Sequence, residues 1–166
     1  MITLSTGSLH SYGISRVFAL AAEVGYDGIE VLIDGRWDSR DAVYLSRLSS
    51  DYNLPIVALH SPFVSDIQDW PLDQLGRLKR TVELANTLEA RVVVAHLPLR
   101  IYGIWGQMNF FNNRRFMVPL PLLRRDAYYQ FLRDDRLEEI ESFSGVTVAL
   151  ENMPAHRFAG LTINAY

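Results

Sequence analysis

RVVVAH, Arg91 to His96, is the stretch on which the fold turns. One charged residue opens it, three valines and an alanine fill it, and a histidine closes it. A short run this apolar and this rich in β-branched residues suits a strand covered on both faces. Ahead of it, Leu72, Leu75, Leu78, Val82, Ala85 and Leu88 recur at helical spacing and form one apolar stripe. Pro71 stands near the start of that helix, where a missing N–H costs little. A long amphipathic helix running straight into a buried strand is the core of a βαβ unit.

The same alternation extends in both directions. Towards the N-terminus, Ile56–Leu59 reads as a buried strand ending at His60, with Pro55 separating it from a helix over Ala42–Tyr52 whose apolar residues are Val43, Leu45 and Leu48. Before that come a strand over Gly28–Ile33 (GIEVLI) and a helix over Ser15–Val24, with Val17, Leu20, Ala21 and Val24 at helical spacing. Gly25 closes this helix, as a left-handed glycine does. Ile2–Leu4 is a first short β-prone run. Towards the C-terminus a long connection runs from Leu97 to about Asp126. Tyr128–Ser142 then reads as a helix with an acidic face, ended by Gly145, and Val146–Leu150 (VTVAL) as a strand ending at Glu151.

Five strands alternating with about four helices imply an α/β fold with a parallel sheet. A doubly wound open sheet fits this count. Against its dinucleotide-binding form, no glycine-rich fingerprint follows any strand. For a barrel speaks the placement of polar residues: ALH, VVVAH and VALE end in His60, His96 and Glu151. In a (β/α) barrel the C-terminal strand ends converge on one site, so these residues are expected to face one small volume. The expectation is a partial (β/α) TIM barrel forming a single domain over residues 1–166.

Composition narrows the function. Of the 166 residues, 49% are hydrophobic and 21% charged, enough apolar content for a core. A net charge of -3 lacks the basic excess typical of nucleic-acid binders, so a nucleic-acid partner is not expected. There are no cysteines, which rules out a thiolate metal site and a cysteine nucleophile. No run approaches a membrane span and MITLSTGSLH lacks the layout of a secretory signal, so the reading is a soluble, cytoplasmic protein with no membrane partner.

Two imidazoles and a carboxylate form a ligand set for Zn, Mn or Fe. A single histidine after an apolar run is more often a hydrogen-bonded core residue. Three polar residues at three strand ends are what tip the reading towards a shared site. Glu30 lies mid-run in GIEVLI. Its place leaves open a supporting role, a substrate contact, or a side chain turned between strand and helices.

With those residues in view, the chain resembles a family. Gly25-Tyr26-Asp27-Gly28-Ile29-Glu30, His60-Ser61-Pro62-Phe63, Val94-Ala95-His96-Leu97-Pro98 and Leu150-Glu151-Asn152-Met153-Pro154 are similar to successive strand motifs of the xylose-isomerase-like TIM barrels. That superfamily includes sugar-phosphate isomerases and epimerases and the endonuclease IV group. The resemblance covers roughly residues 1–155. It implies that Glu151 is the strand-five glutamate that ligates metal and takes part in catalysis. It implies that His60 and His96 ligate metal or contact substrate, and that Asn152 and Glu30 support or contact substrate. The implied cofactor is a divalent metal, Mn, Zn or Mg. The implied function is a metal-dependent sugar or sugar-phosphate isomerase or epimerase acting on a small-molecule sugar. The alternatives are an endonuclease-IV-like hydrolase on abasic DNA and a non-catalytic, truncated interaction module.

The family barrel has eight strands, and a sixth would begin at LTINAY (residues 161–166). Five strands leave the barrel unclosed and part of the family's site unsupplied. They also leave open edges, which template pairing. A homo-oligomer is therefore expected, formed through those edges or through residues 97–126. That segment sets Tyr102, Trp105, Phe110, Phe111 and Phe116 beside Arg100, Arg114, Arg115, Arg124 and Arg125. A lid or packing role, a dimer interface, an anion clamp and base stacking all fit its composition.

Overall fold

The computed structural model describes residues 1–63, 67–98, 101–110, 114–123, 127–151, 156–158 and 161–163, with side chains for 1–63, 67–98, 129–142 and 145–151. In chain order the elements are β1 (Thr3–Ser5), α1 (Ile14–Val24), β2 (Gly28–Leu32), α2 (Ala42–Tyr52), β3 (Ile56–His60), α3 (Gln74–Thr87), β4 (Val92–His96), β5 (Ile101–Phe110), β6 (Arg114–Leu123), α4 (Ala127–Leu132), α5 (Asp135–Ser144), β7 (Thr147–Glu151), β8 (His156–Phe158) and β9 (Leu161–Ile163). Short 3-10 turns occupy Thr6–Leu9 and Trp37–Ser39. The chain forms two compact units. One comprises Met1–His96 and Asp135–Glu151, the other Leu97–Asp134 and Asn152–Tyr166.

The first unit holds one open sheet of five parallel strands in the order β1-β2-β3-β4-β7. Local chemistry sets its helices. Asp41 caps α2 by accepting from the Tyr44 N–H, and Asp73 caps α3 by accepting from the Gly76 N–H. Gly25 ends α1 with φ 88°, its N–H donating to the Ala21 carbonyl, and Asn53 ends α2 with φ 50°. The helix that was expected near Pro71 starts at Gln74, because Asp73 supplies the cap. Leu72 therefore lies outside α3 and is 75% exposed, while Leu75, Leu78, Val82 and Ala85 of the same stripe are buried.

Strand pairing decides which side chains share a face. Val31 is level with Leu59, Leu59 with Val93, and Val93 with Val148. Val31, Leu59 and Val93 are completely buried, as are Ile14, Val17, Phe18 and Ala21 on α1 and Leu45 on α2. Strand side chains alternate with period two, so the opposite face carries the residues in between. These are Ser5 level with Glu30, Leu32 level with His60, His60 with Val94, and His96 with Glu151. At Gly28 a Cβ would stand 2.9 Å from the Pro55 carbonyl oxygen and 3.0 Å from Val57 Cγ1. The β2–β3 approach thus requires a residue without a side chain.

The second unit corrects the reading of residues 97–126 as a connection without strands. β5 and β6 are ten residues each and pair antiparallel, with Ile101 opposite Leu123 and Phe110 opposite Arg114. Two prolines in the run argue against a strand by pattern. Pro119 and Pro121 are two residues apart, so their missing N–H groups fall on one side of the strand. A two-stranded ribbon has an outer edge where that loses no ladder bond. Arg100, Phe111, Arg124 and Arg125 lie outside the described residues.

Two further readings change. The helix expected over Tyr128–Ser142 is two helices. After α4 the Asp134 N–H donates back to the Phe131 carbonyl, an i to i−3 tightening that closes the turn. Asp135 and Glu138 then occupy the first turn of α5, where negative charge suits the helix dipole. The strand expected at residues 161–166 is β9, and it pairs antiparallel with β8 rather than extending the parallel sheet.

Candidate metal and substrate site

His60 closes β3, His96 closes β4 and Glu151 closes β7. Parallel pairing brings the three ends level, and period-two alternation turns them to one face. The His60 and His96 Nε2 atoms are 2.7 Å apart. Glu151 Oε2 is 3.5 Å from His60 Nε2 and 3.7 Å from His96 Nε2. One donor atom from each residue therefore fits within a 4.8 Å spread. The two imidazole rings stack with centroids 4.8 Å apart and an interplanar angle of 24°.

Glu30 joins this group from β2. Its Oε1 accepts a hydrogen bond from Ser5 Oγ at 2.7 Å and stands 3.5 Å from His60 Nδ1. The structure thus resolves the ambiguity of a mid-strand carboxylate. Glu30 turns towards the site face, and the chain Ser5, Glu30, His60, His96, Glu151 runs across all five strands. Asn152 lies outside the described residues. His96 is further held by its backbone, because Gln74 Nε2 of α3 donates to its carbonyl at 2.5 Å.

Contact with His60 holds the Glu30 carboxyl below its ordinary range; burial opposes this, and the Ser5 hydrogen bond adds to it. Burial lowers the His96 imidazole, and the neighbouring His60 adds to the effect while Glu151 opposes it. A neutral imidazole is the form that can donate a lone pair to a metal. His96 Nδ1 is buried with no hydrogen-bond partner among the described residues. Two imidazole nitrogens and a carboxylate oxygen gathered this closely are a donor set that could hold a divalent cation.

The group borders a cleft of about 540 Å³ whose walls include Ser5, Glu30, His60, Phe63 and Glu151. Phe63 is 54% exposed, and its ring lies 4.0 Å from that of His96 and 5.2 Å from that of His60. Glu151 is the most open of the ionisable members, its side chain 47% exposed. Sequence reasoning missed Ser5 and gave Phe63 no role. Ser5 carries no motif. Phe63 sits in HSPF, three residues beyond His60, a spacing that is visible but says nothing of direction.

A family model described as xylose isomerase-like TIM barrel matches residues 18–163. The chain belongs to the xylose isomerase-like TIM barrel family. The chain is similar to an uncharacterised protein of Mycobacterium leprae, 31% identical over 96% of this chain and 50% of that protein's length. Another, from Mycobacterium tuberculosis, is 30% identical over the same shares. The chain spans about half the length of the curated relatives it matches. Among solved structures, a D-tagatose 3-epimerase-like protein superposes with a TM-score of 0.58 at 24% identity, covering 94% of this chain and 54% of that one. An AP endonuclease of family 2 from Brucella melitensis gives a TM-score of 0.53 at 20% identity, covering 86% and 51%. At these identities the likeness carries the xylose isomerase-like fold. Among the described residues, no helix is long and apolar enough to cross a membrane.

Proposed function

We propose that this chain carries part of the site of a metal-dependent sugar isomerase or epimerase, with His60, His96 and Glu151 as ligands of a divalent cation. The single observation behind this reading is the convergence of those three donors within 4.8 Å at adjacent strand ends. The sugar class comes from the names of structures with the same fold, among them the D-tagatose 3-epimerase-like protein. Mn, Zn and Mg are the candidate ions.

A bound divalent ion polarises neighbouring carbonyl and hydroxyl oxygens of a substrate. The chain's own residues supply the rest. His60 and His96 pack against the Phe63 ring, and His60 lines the cleft. Glu151, open to that cleft, ligates the ion or moves a proton at the carbon beside a sugar carbonyl. Glu30 supports His60 or meets a substrate hydroxyl, and Asn152, next along the chain, takes a substrate contact. The net charge of -3 weighs against a phosphate-backbone ligand and so against the abasic-DNA reading.

Calorimetric titration of the chain with Mn²⁺, Zn²⁺ and Mg²⁺ tests the ligand set, and deuterium uptake from solvent into ketoses tests the chemistry. The expected result is one bound ion per chain, lost in Glu151→Ala. A wild-type chain that takes up none of the three ions, or a variant that binds as tightly, overturns the proposal.

A further inference from the structure

We infer that Ser5 and Glu30 form a positioning pair that sets the tautomer of His60, so that its Nε2 lone pair is presented to the ligand cluster before any ion arrives. The inference rests on the proposed ligand set and adds two residues to it.

A carboxylate only accepts hydrogen bonds, so the imidazole nitrogen facing it must carry a proton. His60 Nδ1 faces Glu30 Oε1 at 3.5 Å. Glu151 Oε2 stands 3.5 Å from His60 Nε2 and 3.7 Å from His96 Nε2, so a proton on either Nε2 serves it, whereas Glu30 is served only by a proton on His60 Nδ1. Neutral His60 is therefore the Nδ1–H tautomer, and Nε2 is left as the lone pair. The same Oε1 accepts from Ser5 Oγ at 2.7 Å, which anchors the carboxylate to β1 and fixes its direction. Histidines that ligate metals are commonly oriented this way, by a carboxylate on the far ring nitrogen.

The neighbouring ring follows from the first. His60 Nε2 lies 2.7 Å from His96 Nε2. A lone pair on one requires a proton on the other, so in the ion-free protein His96 is the Nε2–H tautomer. Its Nδ1 then holds an unshared lone pair, in accord with a buried atom that has no partner among the described residues. The two histidines are thus unequal. His60 is ready to ligate, whereas His96 must exchange tautomer to do so. His96 has no counterpart of Glu30 at its far nitrogen among the described residues.

The test is long-range ¹H–¹⁵N correlation on the ion-free, ¹⁵N-histidine-labelled full chain, at about pH 8.5 where ordinary imidazoles are neutral. The expected spectrum shows His60 as Nδ1–H and His96 as Nε2–H. Glu30→Ala should shift His60 towards a tautomer mixture and weaken Zn²⁺ binding roughly 10- to 100-fold. Glu30→Gln, whose amide oxygen still accepts, should restore most of the Nδ1–H form, and Ser5→Ala should give a smaller shift in the same direction. Should Glu30→Ala fail to fold, Ser5→Ala carries the test. His60 found as Nε2–H in the wild type, or tautomers unmoved by both Ala variants, overturns the inference. The expected tautomers in a wild-type chain that binds no ion would uphold the pair and sink the ligand set instead, which separates the two failures.

Discussion

The two faces of the five-stranded sheet are built from the same strands and differ by one residue in phase. One face sets Val31, Leu59 and Val93 in register and buries them completely. The other sets Ser5, Glu30, His60, His96 and Glu151 side by side, and all but His96 line a cleft. One face excludes water and carries stability; the other collects polar groups that a folded core would otherwise avoid. Separating the two by parity alone lets the strand ends carry ionisable groups while the strand centres stay apolar.

Substitutions on either face should therefore give separable losses. The largest loss of stability is expected for Leu59→Ala on the buried face, about 2–5 kcal/mol in a urea titration. Ion binding per folded molecule should persist, since Leu59 faces away from the cluster. Loss of binding without loss of stability in this variant would contradict the assignment of faces. Gly28→Ala, where a Cβ would meet the Pro55 carbonyl, should cost about 1–3 kcal/mol by the same measurement. Asp73→Ala removes the α3 cap and should cost about 1 kcal/mol. Because α3 also supplies Gln74 to the His96 carbonyl, this variant asks whether helix fraying reaches the site face. A binding constant that follows the stability loss would show that the faces communicate through α3.

The smallest effect is a pH dependence located on the site face. Burial holds His96 below its ordinary 6.5, and the contact with His60 holds Glu30 below its ordinary 4.5. In both cases the unfolded chain binds protons more readily than the folded one, so stability falls on acidification. The His96 contribution is whole above 6.5 and declines as pH drops towards its folded value. The Glu30 contribution is whole above 4.5 and declines below it. The urea midpoint of the ion-free chain should thus fall in two steps. His96→Gln should remove the upper step and leave the lower one. A midpoint unchanged from about pH 7 to 5 would contradict the upper step.

Much of the first unit was legible. The helix over Ala42–Tyr52 and the strands ending at His60, His96 and Glu151 follow from period and end signals that act within a few residues. The β5–β6 ribbon was not legible, because its prolines argue locally against a strand and its pairing is not a local property. The division of Tyr128–Ser142 into two helices was hidden for a related reason. Asp134 and Asp135 are poor helix-interior residues but do not by themselves end a helix, and the break is a backbone turn at Phe131–Asp134.

Period, caps and the polar residue closing each apolar run are local properties, and they sufficed for a parallel α/β fold with His60, His96 and Glu151 at strand ends. Distance and direction between strands are not local. That Ser5 reaches Glu30 across 25 residues, that Glu30 meets His60, and that two imidazoles stand 2.7 Å apart depend on register and on a shift between Ile29 and Glu30 in the β2–β3 pairing. Register is settled by packing the whole sheet at once, because a slip of one residue would turn every side chain of a strand to the other face.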